Sequence, residues 1–367
     1  MSDALTLWQA GVAAVDGHTA TQSALPGAQK PDQIIAVGKA AAAMARAAMA
    51  QFPDTPTLVV TKDGHGDDLP PNVTLIEAAH PVPNDKSVIA GKALRETVAG
   101  LANTAHLLLL VSGGASSLAE DPVPGKTLDD LKTLNARLLA EGLDITAMNA
   151  QRRKISQIKG GGLLGHFTGK SVQVLAISDV PGDDLGVIGS GIGAAPPSHD
   201  FDFDATIVAS NTVARDAAEA RARALGLHVH ANRESLHAAL PDLVKQIGAE
   251  LRAMAPGVLV LGGEPTVILP PNPGEGGRNQ ALALELAREI QGIDGLSVVV
   301  GGTDGSDGPT GAAGGIVTAV TWQPQGQAAL DTADSGPFLA ARNARLTTGP
   351  TGTNVMDLLI AHRTDPA

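Results

Sequence analysis

Residues 301–315 read GGTDGSDGPTGAAGG and follow directly on the aliphatic run LSVVV. Glycine lets a chain turn sharply and approach a ligand closely, while Asp304 and Asp307 offer hard oxygen ligands or proton acceptors. A buried strand that empties into such a loop points to a site. Four more aliphatic runs end in the same way, at Val37-Gly38-Lys39, Ser112-Gly113-Gly114, Ser178-Asp179-Val180-Pro181-Gly182 and Gly262-Gly263-Glu264. In open α/β sheets ligands bind at the carboxyl ends of strands, so these five loops can converge on one cleft. Any one of them alone is equally a strand-to-helix turn that needs glycine.

The residue types in these loops suit an anionic ligand. Lys39 sits between the run QIIAV and a helical stretch, which invites a P-loop reading. However, Gln33 stands where that motif has its first glycine, and Ala40 where it has the Ser or Thr that holds magnesium. A lysine at a helix start opposes the helix dipole unless an anion binds there. Arg278, in Gly274-Glu-Gly-Gly-Arg278-Asn279-Gln280, faces the same conflict. The loop Ser112 to Leu118, SGGASSL, offers consecutive amides and the hydroxyls of Ser112, Ser116 and Ser117, suited to phosphate oxygens or to a capped turn. In MNAQRRKISQIKGGG, from Met148, the cations Arg152, Arg153, Lys154 and Lys159 form either a solvated helix face or a partner for a polyanion. Asp179, Asp183, Asp184 and Glu264 are candidate magnesium ligands or bases, or plain turn residues. No G-x-G-x-x-G fingerprint opens the turn after QIIAV, and no nucleophile elbow G-x-S-x-G occurs. The ten His include no His-x-x-x-His pair for zinc; His228 and His230 read as same-face strand positions, and His80, in HPVPN, as a turn residue.

Composition narrows the classes. A chain of 367 residues, 43% of them apolar, is long enough for two domains with sizeable cores. With five Phe, two Trp and no Tyr, platforms for stacking nucleic-acid bases are scarce, and a formal charge of -12 repels a phosphate backbone. Nucleic acid is therefore not an expected partner. The absence of cysteine removes disulfides, thiolate nucleophiles and iron–sulfur ligation. The start MSDALTLWQAG lacks the basic-then-apolar layout of a secretory signal, and no apolar run approaches the roughly 20 residues of a membrane span. A cytoplasmic protein without membrane contact is expected.

Short aliphatic runs alternate with alanine-rich helical stretches: QIIAV, TLVV, VTLI, LLLLV, VQVLAI and TIVA. Continuous apolar strands between helices predict a parallel sheet covered on both faces. After an amphipathic stretch from Glu234 to Met254 the pattern restarts with GVLVLGGEPTVIL, a helix from Asn279, the strands SVVV and GIVTAV, and terminal helices. The expected boundary lies near residue 240.

Taken in order, VGKAA, HPVPN, VSGGASSL, MNAQRRKISQIKGGGLL, ISDVPGDDLGVIGSG, LGGEPTVIL, GGRNQALALE, GGTDGSDGPTGAAGG and TGPTGTNVMDL resemble the motif series of the MOFRL-type glycerate 2-kinases, from about residue 34 to about 360. That family includes proteins labelled hydroxypyruvate reductases. The resemblance implies an α/β fold with a Rossmann-like, mostly parallel layered domain over 1–240, a smaller C-terminal MOFRL domain over 241–367, and an active site in the cleft between them. It implies phosphorylation of D-glycerate at its 2-hydroxyl, with ATP and Mg2+, to 2-phosphoglycerate and ADP. Lys39, Arg278 and Asp304 are assigned to catalysis. Ser112, Gly113, Gly114, Ser116, Ser117, Asn211, Glu264, Asn279, Thr303 and Asp307 are assigned to substrate or nucleotide binding, and Asp179 to the metal. Glu264, Asp304 and Asp307 also stay open as metal ligand or base. The chain departs from the family pattern where Ser190-Gly191-Ile192-Gly193 replaces a rigid SGP turn and where SGGASSL replaces SGGGSAL.

An NAD(P)H-dependent hydroxypyruvate reductase and a non-catalytic sugar-acid-binding protein are the competing expectations. The first lacks its cofactor fingerprint at the first turn. The second would have no need of the charged motifs retained here.

Overall fold

The computed structural model describes residues 3–66, 69–140 and 151–365. Its contacts divide the chain into two compact units, one of Asp16–Ser210 with Gly352–Asn354, the other of Met1–Val15, Asn211–Thr351 and Val355–Ala367. The sequence places one boundary near 240. The units break at Asp16, Asn211, Gly352 and Val355, so the second is built from three segments distant in sequence.

In the first unit, β1 (Gln33–Val37), β2 (Thr57–Lys62), β3 (Thr74–Ala78), β4 (His106–Val111), β5 (Ser171–Ile177) and β6 (Asp202–Ala209) form a wholly parallel sheet in the order β3-β2-β1-β4-β5-β6. This is the doubly wound order whose switch point falls between β1 and β4. Ile35, Val37, Leu107, Leu109 and Val111 pack on Ala90, Leu94 and Val98 of helix Asp85–Ala99. That helix starts with a capping box between Asn84 and Ser87. Ile34 and Ala36 are also fully buried, on the face that takes helix Ala41–Gln51. Both faces are thus covered, which is why these strands read as unbroken apolar runs. Val37 pairs with Val111, and Val111 with Ala176, so the turns after β1, β4 and β5 leave the sheet side by side. Gly160–Gly165 has the G-x-G-x-x-G spacing but lies ahead of β5, where no strand delivers it to a helix.

In the second unit, β7 (Val229–Glu234), β8 (Gly257–Gly263), β9 (Leu296–Gly302), β10 (Gly314–Thr318), β11 (Arg345–Leu346) and β12 (Asp357–Arg363) form a mixed sheet in the order β11-β10-β9-β12-β8-β7. The C-terminal run, expected to be helical, is strand β12, antiparallel between β8 and β9. A short apolar run has no periodicity that separates a buried strand from a helix. One face of the sheet, with Leu259, Leu261, Val298, Val300 and Leu359, packs on helices Leu240–Ala253 and Arg278–Glu289. The other takes helices Asp3–Ala14 and Asn211–Ala224, which cross closely enough that a Cβ on Gly11 would lie 2.8 Å from the Ala214 carbonyl oxygen. Asp357 lies opposite both Gly263 and Gly302, so the exits of β8 and β9 and the start of β12 share one edge. Among the described residues no helix is long and apolar enough to cross a membrane.

Candidate active site

In the parallel unit, the turns after β1 and β4 interlock. The Lys39 N–H donates to the Gly113 carbonyl (2.9 Å), and the Ala40 N–H donates to the Ser112 hydroxyl (3.0 Å). Gly38 has φ +129°, and a Cβ there would overlap the Ser112 carbonyl and hydroxyl. Gly38→Ala is therefore expected to cost at least about 3 kcal/mol of stability in urea unfolding, from backbone strain plus overpacking. An unchanged midpoint would show that the two turns do not interlock.

Ser112 is fully buried, and the Ser117 hydroxyl donates to the Gly114 carbonyl (3.2 Å). The hydroxyls expected to meet phosphate oxygens at these two positions hold the loop together instead. Ser116 lies half-buried in the single turn Ala115–Leu118. Among the described residues no acceptor takes the N–H of Gly113 or Gly114. Gly114 is left-handed (φ +83°), and a Cβ on it would lie 3.1 Å from both Lys39 Cγ and the His80 ring. The half-buried Lys39 side chain and His80 thus stand at Gly114, a wall beside two adjacent amides that suit an anion. His80, expected only to shape a turn, is part of this wall.

Asp179 is half-buried beside Gly113, and its Oδ2 accepts from Asn354 Nδ2 (3.2 Å). Asp183 and Asp184 stay in the following turn, where Asp184 Oδ1 accepts the Gly186 N–H. Among the described residues no three His, Cys, Asp or Glu side chains form a group that could hold a metal ion. Magnesium that arrives on phosphates needs only one or two protein carboxylates, so a single side chain in the place of Asp179 would be enough.

Two cations of the cation-rich segment are engaged within the chain. Lys159 and Glu120 form a buried ion pair, Arg153 donates to the Gly186 carbonyl (2.9 Å), and Arg152 is near enough to act electrostatically on the pair. Burial pushes the Glu120 carboxyl up and the Lys159 ammonium down, each against the pull of its partner. Met148, Asn149 and Ala150 lie outside the described residues. Ile192, which stands where the family has a rigid proline, is buried in the core, so packing holds that turn.

The mixed unit gathers a second set of charges at its polar edge. Arg278, the first residue of helix Arg278–Glu289, donates from Nε to Asp357 Oδ2 (2.7 Å) and from Nη2 to Oδ1 (3.3 Å). Its Nη1 donates to Glu264 Oε1 at 2.5 Å. Burial weakens the guanidinium's hold on its proton, but Asp357, then Glu264 and Asp307, outweigh that and raise its pKa. Burial in turn pushes Asp357 up against the pull of Arg278.

Asp307 and Asp304, alike in sequence, have different duties. Asp307 is 3% exposed and accepts the N–H groups of Asn279 (3.0 Å) and Gln280 (2.8 Å) and the Gln280 side-chain amide (3.1 Å). It caps the Arg278 helix from a distant loop, a structural duty at a position expected to bind a ligand. Asp304 Oδ1 accepts from the N–H (2.9 Å) and hydroxyl (2.8 Å) of Ser306, an Asx turn that leaves the side chain half-buried at the strand exit. Thr303 is fully buried and exchanges bonds with Met356 and Val355, and Asn211 is buried with its amide donating to the carbonyls of Val355 and Asp357. Both side chains, expected at a ligand, are bonded within the chain. Asn279 is likewise buried, 1% exposed, beside Asp357.

Burial, set against its three hydrogen bonds, raises the Asp307 pKa to about 6 from 3.8. A carboxyl whose pKa rises on folding favours the folded state when protonated, so its contribution is complete below about pH 4 and is lost as pH rises through 6. Wild-type stability should fall relative to Asp307→Asn by on the order of 3 kcal/mol across that window. Parallel pH profiles of the two proteins in urea would refute this cause.

Asp357 escapes a sequence reading aimed at loops, although one signal was present: a lone acid inside the apolar run VMDLLIA. His237 is also new to the site; its Nδ1 accepts the Glu264 N–H (3.3 Å), and its Nε2 faces Glu234 Oε1 (2.8 Å).

Residues 3–225 match the family described as "Domain of unknown function (DUF4147)", and residues 257–357 match the MOFRL family. The D-glycerate 2-kinase of Thermotoga maritima is 34% identical over 89% of this chain and 89% of its own. The glycerate 2-kinase of Pyrococcus horikoshii is 33% identical over 89% of this chain and 86% of its own. The crystal structure of a glycerate kinase from Thermotoga maritima superposes with a TM-score of 0.87 at 32% identity, covering 99% of each chain.

Proposed function

Because the chain belongs to the MOFRL-type glycerate 2-kinase family, we propose that it transfers the γ-phosphoryl group of ATP to the 2-hydroxyl of D-glycerate, giving 2-phosphoglycerate and ADP. The observation that carries the reading is the pair of unengaged amides of Gly113 and Gly114 beside Lys39, at the switch point of a doubly wound sheet.

Phosphoryl transfer asks little covalent chemistry of a protein; it asks for positioning and for charge spread over the moving oxygens. Lys39 supplies a cation and Gly113 and Gly114 supply donors that need no reorganisation. Gly38 and Ser112 lock the two turns so that these groups stay aligned. Arg278, held by Asp357, offers a second cation for a carboxylate or phosphate oxygen. Magnesium, brought with the nucleotide, would neutralise phosphate charge, and Asp179 is the side chain suited to hold it.

The strand order alone also suits a dinucleotide, which favours the reductase as a second reading. Against it, the first turn carries a single glycine followed by Lys39. Protein incubated with D-glycerate and Mg-ATP, without nicotinamide, should release ADP; no ADP above background refutes the kinase. Oxidation of NADH on addition of hydroxypyruvate would favour the reductase.

A further inference from the structure

All three guanidinium nitrogens of Arg278 are engaged by carboxylates of its own chain, and those two carboxylates are not equivalent. Asp357 takes Nε and Nη2 in a two-point contact and is 2% exposed. Glu264 takes Nη1 alone, and its side chain is 46% exposed. One positive charge against two negative ones leaves the group with a net negative charge, which repels an incoming anion. While both carboxylates stay in place, only two of the five guanidinium N–H donors, one each on Nη1 and Nη2, are left for a substrate oxyanion.

We propose that Glu264 is an internal stand-in for the substrate's oxyanion: the incoming carboxylate or phosphate displaces it from Arg278 Nη1 while Asp357 keeps the guanidinium in place. The inference rests on the kinase reading, which requires Arg278 to meet an anion. Exposure decides which carboxylate leaves. A half-exposed, single-point ion pair shifts an equilibrium by only about 1.4- to 5-fold, whereas a buried carboxylate deprived of its partner is left uncompensated.

The main chain at Glu264 is also secured against moving with the side chain. Its N–H is held by His237, Gly263 before it has φ +130°, and the Thr266 N–H donates to the Ala238 carbonyl (3.0 Å). Glu264 therefore leaves by rotation of its own side chain, with the strand end fixed. A neutral polyol offers Nη1 an acceptor without the negative charge, so the exchange favours acids.

Calorimetric titration of D-glycerate alone, and separately of ADP alone, into wild type, Glu264→Gln and Glu264→Ala tests this, with turnover of D-glycerate and Mg-ATP measured alongside. The expected result is that the dissociation constant of one of the two anions falls about 2- to 5-fold in both variants. The anion that gains identifies the oxyanion Arg278 receives. An unchanged constant for both anions shows that Glu264 does not compete. Weaker binding makes Glu264 a direct substrate contact, and either result overturns the proposal. Turnover without a gain in affinity refutes the stand-in alone, while no binding and no turnover in wild type refutes the kinase reading and the stand-in together.

Discussion

Arg278→Met is expected to lower kcat/KM for D-glycerate at least about 1,000-fold and, in the same protein, to lower stability by about 3–5 kcal/mol. The sequence alone suggests a loss confined to turnover. Asp357 changes that, because it is buried and takes two of the three guanidinium nitrogens, so removing Arg278 strands a carboxylate inside the protein. The double variant Arg278→Met, Asp357→Leu separates the two effects. An ion pair replaced as a unit by apolar groups is often neutral in stability. Urea unfolding should therefore recover most of the loss while turnover stays absent. Recovery of turnover in the double variant would mean that Arg278 serves the fold only.

Lys39→Met should show the opposite pattern. Here kcat/KM falls by about 100- to 10,000-fold while the thermal midpoint stays close to wild type. The half-buried Lys39 lies over Gly114 and beside His80, and the bonds that lock its turn are made by main-chain atoms and by Ser112. Lys39→Arg should not restore activity, since a guanidinium is larger than an ammonium and the stem fills the space a Cβ on Gly114 would need. A Lys39→Met protein that unfolds as readily as it loses activity would make the lysine structural.

The parallel sheet is legible in the sequence because burial on both faces leaves strands such as QIIAV and LLLLV with no polar position. Lys39 and Arg278 are legible for another reason: each sets a positive charge at a helix start, where the dipole opposes it. What relieves Arg278 is not legible. Asp357 lies 79 residues away in a strand whose apolar run also fits a helix, and the pairing of β12 between β8 and β9 is a long-range outcome. The duties of Asp304 and Asp307 diverge because left-handed Gly305 and Gly308 re-aim the loop, turning one carboxylate onto Ser306 and the other onto the Arg278 helix. Ser112 shows the same limit. Its type suits phosphate, but the close approach of Gly38 buries it. Helix Asp3–Ala14, which pairs with helix Asn211–Ala224, has no local signal of that partner.

The proposed reaction is phosphoryl transfer to one particular hydroxyl. Phosphorus NMR of a reaction containing the purified protein, D-glycerate and Mg-ATP tests it directly. ADP should accumulate together with an equal amount of 2-phosphoglycerate. Formation of 3-phosphoglycerate, or of no phosphorylated glycerate beyond a protein-free control, would contradict the account.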